Sequence, residues 1–438
     1  MPKITIIGAG SLVFSCQLIW DILSFPELSE STISLMDIDE ERLNLITQLA
    51  QKMVKDRGGK AEVKASLDRR KALEDADYVI VTLEVGGLDT YLNDLKIPDK
   101  YGINQNVGDT IGPGGVFRAL RTVPIMVDIC KDMEKLCPNA YLLNYTNPMV
   151  INCWVMNAVS KIKKVGLCHS VQGTARQLAS YMRIPYEELS YWVAGINHMA
   201  WFLELKWKDK DAYPILREVG KEKDLWNRVI GGYKKFGMKD IVRFKVMKHF
   251  GYFVTESPYH MSEYVPYFRK NEKQMEELGI YYRWWLNYKK APDVHIKEIK
   301  DQIAGKKKIT IEKSDEYAPQ IIYSLHTGKS CRINGNVENE GLITNLPHGC
   351  CVEVPCFVDK SGIHPCYIGN LPSQCAALNR TNINVQELAV KAALTGNKDA
   401  LLHAVALDPL TSSLLTLDEI KKMIGEMLEA EARYLPQF

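Results

Sequence analysis

The sequence lacks any strong excess of charge: 55 basic residues face 53 acidic ones, a formal net charge of +2 over 438 residues. No bulk field would hold such a chain on nucleic acid or on an anionic membrane, so a small-molecule partner is expected. Cysteine density is missing too. Eleven cysteines, an odd number scattered over a long chain, make no secreted disulfide scaffold and point to the reducing cytoplasm. No stretch reaches the roughly 18 consecutive apolar residues of a membrane span. The uncharged segment Ile4–Trp20 is broken by Gly8 and Gly10 where a secretory helix would be continuous, and no small-residue cleavage pattern follows. There is no internal repeat and no low-complexity linker, and the run Lys306–Lys308 reads as a solvated loop.

What is present is 46% apolar and 25% charged side chains, the make-up of a globular enzyme with more than one structural region. The first half alternates short apolar runs with longer periodic ones, as a parallel sheet with crossover helices requires. Strands are expected at Lys3–Ile7, Thr32–Asp37, Tyr78–Leu83, Ala140–Asn144 and Lys164–Cys168, with amphipathic helices at Glu40–Asp56 and Ala119–Leu136. Near Tyr191 the rhythm changes. From there to about residue 310 the chain is rich in Trp, Tyr and Lys and shows no βαβ repeat. Further on, Val385–Thr395 and Leu417–Tyr434 read as helices, and Gly335–Cys356 mixes turns with short strands. The expectation is an α/β fold: a Rossmann-type doubly wound sheet of the lactate/malate dehydrogenase kind over residues 1–190, then a mixed α+β region over 191–438 for substrate and oligomer contacts.

The segment Gly8-Ala-Gly10-Ser11-Leu12-Val13-Phe14 follows the first strand and opens a helix. Gly8 permits a tight turn, Gly10 lets the backbone approach a pyrophosphate, and the helix N-terminus offers free N–H groups to that anion. Val13 occupies the third glycine position of the fingerprint. Asp37 ends the second strand 29 residues after Gly8, where a ribose hydroxyl needs an acceptor, and its charge favours NAD over NADP. Asp37 could instead cap the helix that follows.

Cys168-His169-Ser170 stands at the end of another strand, and Gly195-Ile-Asn-His198 follows thirty residues on. A thiolate and an imidazole suit a borderline divalent metal, and two ligands leave room for substrate. By spacing alone, a buried structural cysteine and a core histidine fit equally. Other polar clusters fall at strand ends: Glu84-Val-Gly-Gly, the glycine-rich loop Gly108-Asp109 to Gly115, and Asn144-Tyr-Thr-Asn147-Pro148. The amides of the last suit sugar hydroxyls or a nicotinamide carboxamide, although Asn-Pro is also simply a turn. Thr255-Glu256 to Tyr264 gathers titratable groups that could supply a general base, or could form a surface helix.

Taken in order, Gly-Ala-Gly-Ser at 8–11, Gly-Pro-Gly-Gly at 112–115, Asn-Tyr-Thr-Asn-Pro at 144–148, Gly-Leu-Cys-His-Ser at 166–170, Gly-Ile-Asn-His at 195–198, Ser-Glu-Tyr at 262–264, Gly-Asn-Leu-Pro at 369–372 and Asp-Pro-Leu at 408–410 resemble glycoside hydrolase family 4, the NAD- and metal-dependent glycosidases. Cys168-His-Ser-Val171 is similar to its α-galactosidase branch. The turn Glu84-Val-Gly-Gly-Leu-Asp carries no basic residue for a sugar phosphate, so an unphosphorylated substrate is expected.

The resemblance implies an oxidation–elimination cycle rather than two-carboxylate hydrolysis. NAD takes hydride from C3, a base removes the C2 proton, the aglycone leaves, water adds and the hydride returns. It implies a metal, Mn²⁺, on Cys168 and His198; Tyr264 as the C2 base, with Glu256 its rival; Asp109 orienting a metal-bound water; and Asn147 touching substrate. Glu84 and Asn147 join the glycine turn on the cofactor. His169 stands where some relatives carry the leaving-group acid, and is either that acid or a hydrogen-bond donor to a sugar hydroxyl. A homodimer or homotetramer is implied. The competing readings are an α-glucosidase or α-uronidase of the same family, a malate/lactate-type dehydrogenase without metal, and a non-enzymatic NAD-binding protein.

Overall fold

The computed structural model describes residues 1–221, 239–280 and 291–438. Twelve strands form one sheet: β1 (Lys3–Ile7), β2 (Thr32–Met36), β3 (Glu62–Ser66), β4 (Tyr78–Val81), β5 (Tyr141–Asn144), β6 (Lys163–Leu167), β7 (Leu189–Ile196), β8 (Met199–Trp207), β9 (Lys210–Asp211), β10 (Cys331–Glu338), β11 (Cys351–Asp359) and β12 (Gly362–Pro365). The first six are parallel in the order 3-2-1-4-5-6 of a Rossmann sheet. The sheet then continues as β10-β11-β7-β8-β9 in antiparallel pairing, with β12 off β11.

All five expected strands form, Lys3–Ile7 as expected and the other four with an end shifted by one or two residues. β3 went unanticipated because Glu-Val-Lys-Ala-Ser is a short, half-exposed edge strand whose charges mask its alternation. The helix expected from Ala119 starts at Gly112, so Gly112–Gly115 form its first turn and not a loop. Its side chains pack tightly there: a Cβ on Gly115 would lie 2.5 Å from the Thr110 carbonyl carbon. The C-terminal helix begins at Ser373, well ahead of Val385. Part of the aromatic-rich stretch before residue 310, at 222–238 and 281–290, lies outside the described residues.

β4 is buried along its whole length and β1 nearly so, because helices cover both faces of the parallel half. A separate apolar cluster joins Phe117, Leu120 and Val123 of the helix Gly112–Leu136 to Val385, Leu401, Ile420 and Met427 of the C-terminal helices. That packing ties the end of the chain to the nucleotide half. Among the described residues no helix is long and apolar enough to cross a membrane, and Lys306–Lys308 are exposed.

Candidate active site

The glycine turn has the shape a dinucleotide needs. Gly8 has φ +85°, and a Cβ there would lie 2.4 Å from the Thr82 carbonyl oxygen, so no other residue fits. The helix Phe14–Ile22 has no side-chain cap and no acidic residue in its first turn, leaving its amide N–H groups open to an anion. Val13 is 56% exposed at the helix start. It makes no close approach to the sheet, which explains why the third glycine is dispensable here. Phe14 packs edge-on against Tyr145, ring centroids 4.7 Å apart. Asp37 is not the cap of the next helix; Asp39 is, accepting from the Arg42 N–H. Asp37 instead accepts from Gly10 N–H at 2.7 Å and Asp39 N–H at 2.9 Å, which fixes its carboxylate beside the turn.

Cys168 lies just beyond β6. His198 occupies the tip of the β7–β8 hairpin, whose ladder closes at Ile196↔Met199 and leaves only Asn197 and His198 in the turn. His198 has φ +64°, an unfavourable conformation for a residue with a Cβ, of the kind that concentrates at functional sites. Its Nε2 is 3.3 Å from Cys168 Sγ. The strands behind them stand three spacings apart, roughly 14 Å, in the row Gly166–Asn336–Glu353–Gly195. The two side chains close that gap above the row. Burial lowers the pKa of the His198 imidazole and raises that of the Cys168 thiol.

The helix Pro258–Tyr264 is buried, not on the surface, and brings the titratable cluster onto this pair. The His198 ring is 4.4 Å from that of His260 and 6.5 Å from that of Tyr264. The Tyr264 hydroxyl and His198 Nδ1 are buried with no partner among the described residues. Burial pushes the phenol up, and the charges of Asp109 and Glu263 push it further. Tyr264 therefore needs a neighbouring cation to act as a base. Glu256 also sits at positive φ, +73°. Burial opposes its ionisation, but His260, His198, His169 and Arg243 outweigh burial and hold it near pKa about 2, which makes it a weak base.

Asp109 leads into the helix Gly112–Leu136, with Asn147 Nδ2 donating to its Oδ2 at 3.4 Å. Glu263 fixes the loop before it: its carboxylate accepts from the backbone N–H groups of Asn106 (2.6 Å), Val107 (3.2 Å) and Gly108 (3.3 Å), and pairs with Arg269 at 3.2 Å. Glu84 is paired with Arg118 at 2.8 Å, and Arg118 also donates to the Asn147 carbonyl. Asn379 and Asn382 of the helix Ser373–Thr395 donate to the carbonyls of Met199 and Tyr264, steadying the hairpin and the tyrosine together.

His169 stands exposed at the mouth, Nδ1 3.3 Å from Glu316 Oε1, and that contact raises its pKa well above the imidazole range. Glu316 escaped sequence reasoning because it lies 147 residues downstream with no motif around it. Glu353 escaped it too. It is a fully buried carboxyl beside Asn197, its pKa pushed well up by burial and by the nearby Cys168 and Glu256, and its strand reads only as alternation.

Among the described residues no three His, Cys, Asp or Glu converge as a closed metal cage. Cys168 and His198 fit an open one. Metal–sulfur and metal–nitrogen bonds of about 2.3 and 2.1 Å, at 90–109°, set the two donors about 3.1–3.6 Å apart, which brackets the observed separation.

A Rossmann sheet with an open glycine turn, and a part-buried Cys–His pair at the carboxyl ends of its strands, define an α/β enzyme of the dinucleotide-binding architecture. Residues 3–184 match the family 4 glycosyl hydrolases and residues 193–411 match the C-terminal domain of the same family. The protein belongs to glycoside hydrolase family 4. It is 41% identical to an α-galactosidase of Bacillus subtilis (strain 168) over the whole of both chains. It is 38% identical to an α-galactosidase of Rhizobium meliloti (strain 1021), covering all of this chain and 89% of that one. The crystal structure of a 6-phospho-α-glucosidase from gut microorganisms, in complex with NAD and Mn²⁺, has the same fold, with a TM-score of 0.84 at 20% identity over 99% of each chain. Family membership sets aside the malate/lactate dehydrogenase and non-enzymatic readings.

Proposed function

We propose that the protein hydrolyses unphosphorylated α-galactosides, using NAD and a divalent metal, Mn²⁺, with the nucleotide half ending near residue 190. The observation that carries this reading is the meeting of Cys168 and His198 beside Tyr264, whose buried hydroxyl has no partner among the described residues. The full-length identity to α-galactosidases supports the sugar. The absence of a free basic residue in the turn Glu84–Asp89 supports a substrate without phosphate, since Arg118, which reaches that turn, is already paired with Glu84.

When bound, NAD would accept a hydride from C3 and the metal on Cys168 and His198 would serve as a Lewis acid for the C2 and C3 oxygens. Gly8, Gly10 and the helix N-terminus from Ser11 to Phe14 take the pyrophosphate, and Asp37 takes the ribose. Tyr264 removes the C2 proton. His169, held cationic by Glu316, donates to the departing oxygen. Asp109 orients water, and Asn147, fixed by Asp109 and Arg118, contacts the sugar.

The test is turnover of p-nitrophenyl α-galactoside beside the α-glucoside and α-galacturonide. Activity is expected on the galactoside and only with NAD⁺, Mn²⁺ and a thiol reductant together. Full activity under EDTA or without NAD⁺ overturns the mechanism, and preference for another sugar overturns the substrate.

A further inference from the structure

A cavity of about 170 Å³ opens beside the candidate active site, between the helices Ser170–Met182 and Tyr317–Thr327 and the outer part of β10. It is well below the 300–1,000 Å³ of drug-sized pockets, so it takes one small group. Its position is set by two elements shared with the catalytic cleft. Gln172 and Arg176 line it from the helix that His169 immediately precedes, one and two turns on, each turn about 5.4 Å. Asp315 and Tyr317 line it from either side of Glu316, whose own side chain holds His169. The cavity therefore lies directly behind the His169–Glu316 pair.

Its lining is polar and offers hydrogen bonds to a hydroxyl-rich ligand. Arg176 is neutralised by Asp315 at 2.7 Å and lies over the Tyr186 ring, and the Arg332 guanidinium lies over Tyr191. Gln172 Nε2 donates to the Asp315 carbonyl, which leaves its buried Oε1 with no partner among the described residues. Asn334 is fixed through its bond to the Val193 carbonyl. Planar amides and guanidiniums give directional hydrogen bonds to hydroxyls, with Arg176 neutralised by Asp315 and Arg332 left as a cationic donor.

We propose that this cavity is the aglycone subsite, which binds the first sugar ring of the leaving group. The inference rests on the α-galactosidase reading, because His169 must stand between the sugar that is cleaved and the one that departs.

The experiment compares Arg332→Ala and Gln172→Ala with the wild type on melibiose, whose aglycone is a sugar, and on p-nitrophenyl α-galactoside, whose aglycone is not. KM for melibiose is expected to rise about 5- to 20-fold while the nitrophenyl substrate stays within twofold. Equal changes on both substrates, or none on either, overturn the subsite. Binding of free glucose, followed by saturation-transfer NMR, is independent of turnover. Binding that survives Cys168→Ser but is lost in Arg332→Ala upholds a sugar site in this cavity, whichever sugar proves to be the one cleaved. Glucose binding that is absent, or indifferent to Arg332, overturns it while leaving that reading intact.

Discussion

Cys168 Sγ lies 3.3 Å from His198 Nε2, one at the end of a parallel strand and the other at the tip of an antiparallel hairpin. Desolvation raises the thiol and lowers the imidazole, and a bound cation would offset the cost of forming the thiolate there. Cys168→Ser is expected to lower Mn²⁺-dependent turnover about 10³-fold, the several kcal/mol of a lost Lewis acid, with NAD affinity unchanged by fluorescence titration. Wild-type turnover by this variant would remove the metal assignment.

The Tyr264 hydroxyl has no partner among the described residues. Tyr264→Phe should therefore leave stability within about 1 kcal/mol of the wild type, since no hydrogen bond is broken. Turnover should fall roughly 10²–10⁴-fold, the worth of a general base. Wild-type product formed in D₂O should carry deuterium at C2. A product without deuterium rules out the elimination route, and a fully active Phe variant moves the base to Glu256.

Glu263 couples two parts of the site, holding the backbone before Asp109 while sitting next to Tyr264 in the chain. An amide cannot accept from three N–H groups and also neutralise Arg269. Glu263→Gln should cost about 3 kcal/mol in a urea titration, as broken buried pairs do. It should also lower kcat more than KM. A variant as stable as the wild type would show that the loop is held by other contacts.

Arg121 is shared by two fully buried carboxylates, Asp94 at 2.5 Å and Glu431 at 2.9 Å. Burial pushes both carboxyls up. For such a group the folded state binds more protons than the unfolded one, so its contribution is complete below the ordinary carboxylate value of 4.5 and declines as pH rises towards the folded value. Stability should therefore fall between pH 5 and about 8. Glu431→Gln, which imitates the protonated acid, should flatten that slope and raise stability at pH 8 by roughly 1–2 kcal/mol. An unchanged slope of thermal midpoint against pH would show that Glu431 is not the group responsible.

The nucleotide half was legible because its signals are local. A glycine turn between a strand and a helix, an acid at the end of the next strand, and a period that alternates between 2 and 3.6 all fall within windows of a few tens of residues. The boundary errors are local as well. Gly112–Gly115 reads as a loop by composition, yet the close approach to Thr110 that needs glycine occurs inside a helical turn. In the second half the polar motifs could be found, but whether they were buried or exposed could not. The segment Thr255–Tyr264 reads equally as a surface helix until the helix Ser373–Thr395 and the hairpin close around it.

The sequence by itself determined the Rossmann-type parallel half, the cofactor turn and, through the run of short motifs, the family. Only the tertiary structure decided which polar residues meet. His198 reaches Cys168 through a two-residue hairpin turn across a gap of two inserted strands, β10 and β11, whose first residue, Cys331, lies 124 residues after the hairpin's last, Trp207. Glu353 enters from β11, and Glu316 from the start of the helix Tyr317–Thr327. Their roles depend on burial and charge supplied by neighbours remote in the chain, and no local pattern encodes that environment.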